Sequence, residues 1–263
     1  MNPKVSIVIS TFNREQILKR LLYALKTQTF QDFEIIISDK EGPLVEARDS
    51  GWRKAKGEII VWCDDDIIPT TIWLQNIVAI FDTRKDIVGV TGPTEIMKEY
   101  RKNRDIFKEG LFKKFYNWFF LEGKAYLPGR ITSCGVNTIG ANYDTKWSRE
   151  RQFVDFLEPS HFAVRKWVVE EINGFDMGYG GVGEWTDVDL SFRARDYGKL
   201  LYHPEVKVKH CPINDGIKNK RKETKTRYEN YCKFADKFGY TSFKNKLYRL
   251  FLKIYFLSVK FMN

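Results

Sequence analysis

Four short runs of Val and Ile recur in the first third of the chain: VSIVIS (5–10), EIIIS (34–38), EIIVWC (58–63) and IVGVT (87–91). A strand with one wet face alternates apolar and polar residues, whereas unalternated runs suit strands covered on both faces, as in a parallel sheet. Segments of helical period lie between them. Ile17, Leu18, Leu21, Leu22 and Leu25 form one apolar stripe over 14–27, and Ile72, Trp73, Ile77, Ile80 and Phe81 another over 70–81, with Thr70 or Thr71 as the expected N-cap. The order βαβαβαβ predicts an α/β protein built on a doubly wound sheet.

In such sheets ligands bind outside the carboxyl ends of the strands. Those ends read Thr11-Phe12-Asn13-Arg14, Asp39-Lys40 and Asp64-Asp65-Asp66, so polar and charged groups converge on one edge. Neither a G-x-G-x-x-G nor a G-x-x-x-x-G-K-[ST] loop is present, which removes most of the case for a dinucleotide or P-loop site. From about 98 to 157 the regular pattern fails, around KKFYNWFF (113–120) and a turn-rich segment. This region reads either as an inserted lid or acceptor surface, or as an irregular connection whose aromatics are core. Regularity returns with a strand and helix over 161–176, a glycine-rich stretch carrying Gly178, Gly180, Gly181 and Gly183, a helix to Gly198, and a strand EVKVKH (205–210).

At 263 residues the chain can bury a sizeable core, and 20 Phe, 13 Tyr and 7 Trp exclude disorder for most of it. The net charge of +10 calls for a polyanionic partner: nucleic acid, a phosphorylated ligand or an anionic membrane. The excess is weighted to the segment after Lys207. Four scattered cysteines, Cys63, Cys134, Cys211 and Cys232, without a C-x-x-C pair, and no cleavable apolar leader, point to a reducing, cytoplasmic compartment. The apolar stretch near 247–261 is interrupted by Arg249, Lys253 and Lys260, short of the roughly 20 apolar residues a spanning helix needs.

Three adjacent carboxylates repel one another, so they are stable only if solvated or if a cation sits between them. DDD is therefore either a solvated loop before the next helix or a cation site. In an extended segment Asp64 and Asp66 point to one side and Asp65 to the other. A D-x-D at this edge suits a magnesium or manganese ion that completes its shell with substrate phosphates. Asp187 and Asp189 open a helix-like segment, where they serve either as N-terminal charge and caps or as a second acidic site beside Glu184. His210, ending a strand, is either an ordinary polar residue or an imidazole ligand to the same metal.

SIVISTFNRE, EIIISD, ARDSGWRKAKGEIIVWCDDD, and INGFD followed by EWTDVDLSFR occur in this order between residues 5 and 210. Together they resemble a family 2 glycosyltransferase of the GT-A fold, with its Rossmann-like, mostly parallel sheet, smaller acceptor-side subregion and, here, a C-terminal helical tail. The resemblance implies a catalytic domain over 1–212, with a nucleotide-sugar half at 1–97 and an acceptor half at 98–212, followed by a basic, aromatic helical extension at 213–263. It also implies that Thr11, Phe12, Arg14 and Asp39 line the base and ribose pocket and that Arg48 approaches the sugar diphosphate. Asp64 and Asp65 would meet ribose or sugar, and Asp66 would bind the metal first, with Asp64 and His210 as further ligands. Asp187 takes the position of the catalytic base; Thr186 stands where the family has a glutamate, and Glu184 is the substitute.

Other departures are Asp49, where the family usually has Asn, and Glu158-Pro159-Ser160-His161, where a small glycine-containing acceptor loop is usual. The activity implied is metal-dependent, inverting transfer from a nucleotide-diphosphate sugar, a UDP-sugar first, to a hydroxyl of a glycan or lipid-linked acceptor. A metal-dependent nucleic-acid enzyme or a basic nucleic-acid binder is the competing reading. In the tail, Phe243, Leu247, Leu250, Phe251, Ile254, Leu257 and Phe261 fall at helical spacing among Lys and Arg. They suit either a helix lying in an anionic membrane interface on its inner face, or a terminal helix packed on the domain or on a homodimer partner.

Overall fold

A computed structural model of the chain describes residues 2–39, 41–96, 110–138, 140, 146–181, 183–211 and 220–261. Strands β1 (Val5–Thr11), β2 (Phe33–Asp39), β3 (Ile59–Asp64) and β5 (Ile87–Thr91) are the four Val/Ile runs, with β4 (Ile67–Pro69) and β6 (Thr94–Ile96) following β3 and β5. Later come β7 (Gln152–Phe153), β8 (His161–Arg165), β9 (Lys199–Tyr202) and β10 (Val208–His210). The helices are α1 (Glu15–Lys26), α2 (Leu44–Trp52), α3 (Trp73–Thr83), α4 (Leu111–Phe119), α5 (Lys166–Glu171), α6 (Thr186–Ala194), α7 (Lys220–Lys237) and α8 (Phe243–Phe261).

Seven strands form the main sheet in the order β2-β1-β3-β8-β5-β9-β7. β1 pairs in parallel with both β2 and β3, while β8 runs antiparallel between β3 and β5. The first crossover goes to one side of β1 and the second to the other, so the chain reverses its winding beside the ends of β1 and β3. The register sets Ser10 opposite Asp64 and Thr11 opposite Asp39, which brings the polar strand ends into one line.

Both faces of β1, β3 and β5 are covered, which is why their runs lack alternation, whereas the edge strand β2 is only partly covered and leaves Ile37 exposed. One core packs Leu21 and Leu25 of α1 and Trp73, Ile77 and Phe81 of α3 on Ile7, Ile9 and Val61. The opposite core packs α2, α5 and α6 through Trp52, Val168 and Leu190 on Val8, Trp62 and Val164. A third, aromatic core joins Phe120 of the 98–157 region and Tyr179 and Trp185 of the glycine-rich region to Tyr231 and Phe234 of α7 and Tyr248 of α8.

The structure corrects three local expectations. The N-cap of α3 is Ile72, without a side-chain cap; instead Gln28 Oε1 accepts from the Leu74 amide at 3.0 Å while its Nε2 donates to the Thr70 carbonyl at 2.8 Å. A residue distant in sequence thus does the work assigned to Thr70 or Thr71. EVKVKH contributes only β10, which lies outside the main sheet in a second one of order β4-β10-β6. Helix α2 fills the second crossover of the expected βαβαβαβ order, whereas α4 forms inside the stretch where the regular pattern was expected to fail. Residues 97–109 of the irregular region lie outside the described residues.

Candidate active site

The three carboxylates of DDD do not share one environment. β3 ends at Asp64, and Asp65 and Asp66 form the turn into β4, so strand alternation stops governing their directions after Asp64. Asp65 is buried and accepts from Thr11 Oγ1 at 2.7 Å and from Arg14 Nη1 at 2.9 Å. The loop after β1 is thereby tied to the turn after β3, and both oxygens of Asp65 are engaged. Burial nonetheless pushes its carboxyl above the usual range, with Thr11 and Arg14 opposing.

Asp66 faces the second sheet. Its carbonyl accepts from the Cys211 amide at 2.9 Å, and His210 sits opposite Ile67 in the antiparallel β4–β10 ladder. That register brings His210 Nε2 to 3.2 Å from Asp66 Oδ1, with both side chains largely buried. Nδ1 of His210 is buried with no hydrogen-bond partner. A carboxylate beside an imidazole with an orphaned nitrogen is a donor set that fits a divalent cation whose remaining positions go to water and phosphate. Among the described residues no group of three or more His, Cys, Asp or Glu side chains is placed to hold a metal ion, so Asp66 and His210 offer two donors.

Asp64 turns toward α2. Arg48, buried on the first turns of α2, donates from Nη2 to Asp64 Oδ1 at 3.1 Å and to the Pro159 carbonyl at 3.0 Å, and its Nη1 lies 3.5 Å from Asp187 Oδ1. Trp62 Nε1 donates to the Arg48 carbonyl at 3.2 Å and holds the helix against β3. One guanidinium therefore joins the strand-end carboxylates to the first turn of α6. Although part of the Asp64 side chain stays open, burial raises its pKa to about 6, the Asp66 charge adds to this, and Arg48 and His210 oppose it.

Asp187 is buried on α6, and burial raises its carboxyl above the ordinary value against the pull of Arg48. Trp185, just before α6, has φ +76, in the left-handed region that a bulky residue seldom adopts. Its ring packs on Tyr231 and Phe234 of α7 at 5.4 and 4.8 Å. Asn230 of α7 donates to the carbonyls of Gly180 and Glu184 at 3.1 and 2.9 Å, and Arg227 pairs with Glu184 at 2.7 Å. Helix α7 thus clamps the glycine-rich loop and over-determines the strained residue that aims Asp187. Asp189 is committed elsewhere, to Arg193 at 2.7 Å and Lys237 at 2.6 Å.

Asp64, Arg48, Glu158, Trp185, Glu184 and Asp187 wall part of one cavity of about 400 Å³. A model of the family described as Glycosyl transferase family 2 matches residues 6–43 and 40–140, together just over half of the chain. The chain belongs to glycosyltransferase family 2. A second comparison finds an uncharacterized glycosyltransferase of Nostoc sp., 28% identical over 39% of this chain and 40% of that protein. Another relative is the GalNAc(5)-diNAcBac-PP-undecaprenol beta-1,3-glucosyltransferase of Campylobacter jejuni, 28% identical over 24% of this chain and 30% of that one. The matched segments thus span well under half of either curated relative. Among solved structures, the mannosyltransferase PcManGT from Pyrobaculum calidifontis, in complex with GDP-Man and Mn2+, aligns with a TM-score of 0.56 at 14% identity, covering 96% of this chain and 69% of that one. The likeness shows the GT-A fold for this chain, and membership of the family weighs against the reading as a nucleic-acid enzyme.

Of the residues singled out from the sequence, Thr11, Arg14 and Asp65 meet in one hydrogen-bonded group, Asp66 and His210 in another, and Arg48, Asp64 and Asp187 in a third. Phe12 and Asp39 are exposed beside the first group. Glu184 lines the cavity but is paired with Arg227. Asp49, at the position where Asn was usual, is buried and accepts from Trp52 Nε1 at 2.8 Å and Arg53 Nε at 2.7 Å, a bracing role within α2. Sequence reasoning missed Trp185 as part of the cavity wall and Asn230 as the clamp on the loop before it. Nothing local marks Asn230, whereas a Trp ending a glycine-rich loop was a usable signal.

Arg48 carries the first prediction. Arg48→Met leaves the buried Asp187 and the partly open Asp64 without their shared cation, and removing one partner of a buried ion pair costs about 3–5 kcal/mol. Equilibrium urea unfolding at pH 7 is expected to show a loss of that size. An unchanged midpoint would mean that the guanidinium is not what makes these carboxylates tolerable.

Proposed function

We propose that the enzyme transfers a sugar from a nucleotide-diphosphate sugar to a hydroxyl of a glycan or lipid-linked acceptor, with divalent-metal dependence and inversion at the anomeric carbon. The observation that carries this reading is the Arg48 bridge, which sets Asp64 at the donor edge and Asp187 across one cavity from each other. Donor and base are then within reach of a single reacting atom.

In this reading Thr11, Phe12, Arg14 and Asp39 surround the base and ribose, with Asp65 holding Thr11 and Arg14 in place and lining the same pocket. Asp66 and His210 would hold the metal, with Asp64 as a further ligand. When bound, a divalent ion supplies Lewis-acid neutralisation of the charge on the departing diphosphate. Arg48 adds a fixed positive charge on the same side. Asp187 accepts the acceptor hydroxyl's proton as that oxygen forms its bond to the anomeric carbon and the bond to the diphosphate oxygen breaks. A raised carboxyl pKa strengthens it as a base. A single displacement places acceptor and leaving group on opposite faces of the sugar, hence inversion. Glu184 is the second candidate base, and its pairing with Arg227 ranks it below Asp187.

Two relatives support this choice: one is named for transfer to an undecaprenol-linked glycan, and the mannosyltransferase was solved with GDP-Man and Mn2+. A UDP-sugar is the first donor to try. The test is nucleoside diphosphate release from UDP-, GDP- and dTDP-sugars with Mn2+ and an acceptor panel that includes polyprenyl-diphosphate sugars. Release with one base class, lost in EDTA, with an inverted anomeric signal by NMR, is the expected result. Release indifferent to EDTA, or retained anomeric configuration, contradicts it.

A further inference from the structure

Helices α4 and α8 leave apolar stripes exposed. On α4 the stripe is Leu111, Phe115 and Trp118, at spacing i, i+4, i+7; Leu111 is 89% and Trp118 68% exposed. On α8 it is Phe243, Leu250 and Ile254, at i, i+7, i+11, with Phe243 76% and Ile254 56% exposed. Each helix spends a different face on the fold. Tyr116 of α4 and Phe120, its C-cap, meet Tyr248 and Phe251 of α8 with ring centroids 5.0–6.2 Å apart.

The two stripes share one side of the molecule. Lys244, near the start of α8, lies over Phe119 near the end of α4, while Phe251 lies against Tyr116, so the helices run antiparallel. At about 100° per residue, each exposed stripe precedes its own contact face by roughly 110–150° of rotation, in the same sense on both helices. An antiparallel pair is related by a twofold axis perpendicular to both helices, which maps one stripe onto the same side as the other. Phe119 and Phe251, partly buried, bridge them into one band.

The chemistry of the band selects its partner. Neither α4 nor α8 contains Asp or Glu. The exposed Lys114, Lys246 and Lys253 fall on the outer flanks of the stripes, by the same rotation count. Apolar and aromatic residues flanked by lysines, with no carboxylate, match an anionic bilayer interface: the rings enter the acyl boundary and the lysine stems reach back to the headgroups. A second copy of the chain would present lysines to lysines, which disfavours self-association through this face. We propose that α4 and α8 together form a docking face for an anionic lipid bilayer.

The proposal goes beyond the transfer reading and needs neither its donor nor its base. It assigns a role to KKFYNWFF that the sequence left between acceptor surface and core, and it makes α8 one half of a surface rather than a lone amphipathic helix. The face also connects to the cavity wall, since Tyr248 packs on Tyr231 at 4.8 Å and Tyr231 on Trp185 at 5.4 Å.

The test is co-sedimentation of the full chain with vesicles of phosphatidylglycerol and phosphatidylcholine, and with phosphatidylcholine alone. Binding to the anionic vesicles, weaker on neutral ones and released as salt rises from about 0.1 to about 1 M, is expected. Phe115→Ser with Trp118→Ser, and separately Leu250→Ser with Ile254→Ser, should each lower the partition coefficient at least about tenfold while leaving the thermal midpoint and the donor-induced thermal shift unchanged. Vesicle binding by the α4 variant equal to that of the parent would overturn the proposal. So would no binding of the parent to anionic vesicles, or a concentration-dependent dimer in sedimentation that both variants abolish.

Discussion

Asp66→Ala is expected to lower kcat/KM by about a thousandfold, equivalent to about 4 kcal/mol of lost transition-state stabilisation, and to abolish the response of the enzyme to added Mn2+. The size follows from position. Asp66 is the carboxylate closest to His210, whose Nδ1 lacks a partner, while the other two aspartates are committed to Arg48, Thr11 and Arg14. The substitution lies in a turn whose backbone is held by the Cys211 amide, so the fold should survive, with a thermal midpoint close to the parent's. His210→Ala should show the same loss of Mn2+ response at a smaller amplitude. Initial rates across a Mn2+ titration check both; an Asp66→Ala enzyme with a normal Mn2+ response would move the metal to other residues.

Asp187→Asn separates chemistry from binding. Removal of a positioned general base typically costs 10²–10⁴-fold, so kcat should fall by about that factor with the donor KM nearly unchanged. Asparagine keeps the shape and a hydrogen-bonding oxygen toward Arg48 but cannot take the proton. The same substitution has a signature in stability. Burial raises the folded pKa of Asp187 above its unfolded value, so the native state holds the proton more tightly than the unfolded chain does. That contribution is fully present below the unfolded carboxylate value of about 3.9 and is lost as pH rises through the folded pKa. Asp187→Asn removes the loss, so its stability relative to the parent should increase from pH 4 to pH 7. Urea midpoints at several pH values read this directly, and a pH-independent difference would show that the carboxyl titrates normally.

Residue pattern alone carried the wound sheet because burial on both faces is written into the runs of β1, β3 and β5, while the same pattern overstates the burial of the edge strand β2, where Ile37 is exposed. It also carried the convergence of Thr11, Arg14, Asp65 and Asp66, because strand ends of a parallel sheet share an edge. Strand direction is not a local property, so the antiparallel placement of β8 and the membership of β10 in a second sheet could not be read from HFAVR or EVKVKH. Those placements matter, since the second sheet is what brings His210 to Asp66. The alternation argument for Asp64 and Asp66 failed for a related reason: the strand ended one residue too early for it. Capping of α3 by Gln28 and clamping of the glycine-rich loop by Asn230 are long-range hydrogen bonds without a local signal. Helix α4 was hidden because its aromatics serve two faces, Tyr116 inward and Trp118 outward, which blurs the helical period.

The central claim is that donor and metal are held at Asp66 while Asp187 acts only on the acceptor. Thermal shift with the cognate nucleotide sugar, with and without Mn2+, tests it in the parent, Asp66→Ala and Asp187→Asn. The account predicts a Mn2+-dependent rise in midpoint for the parent and Asp187→Asn and none for Asp66→Ala. A rise retained by Asp66→Ala, or lost in Asp187→Asn, would contradict it.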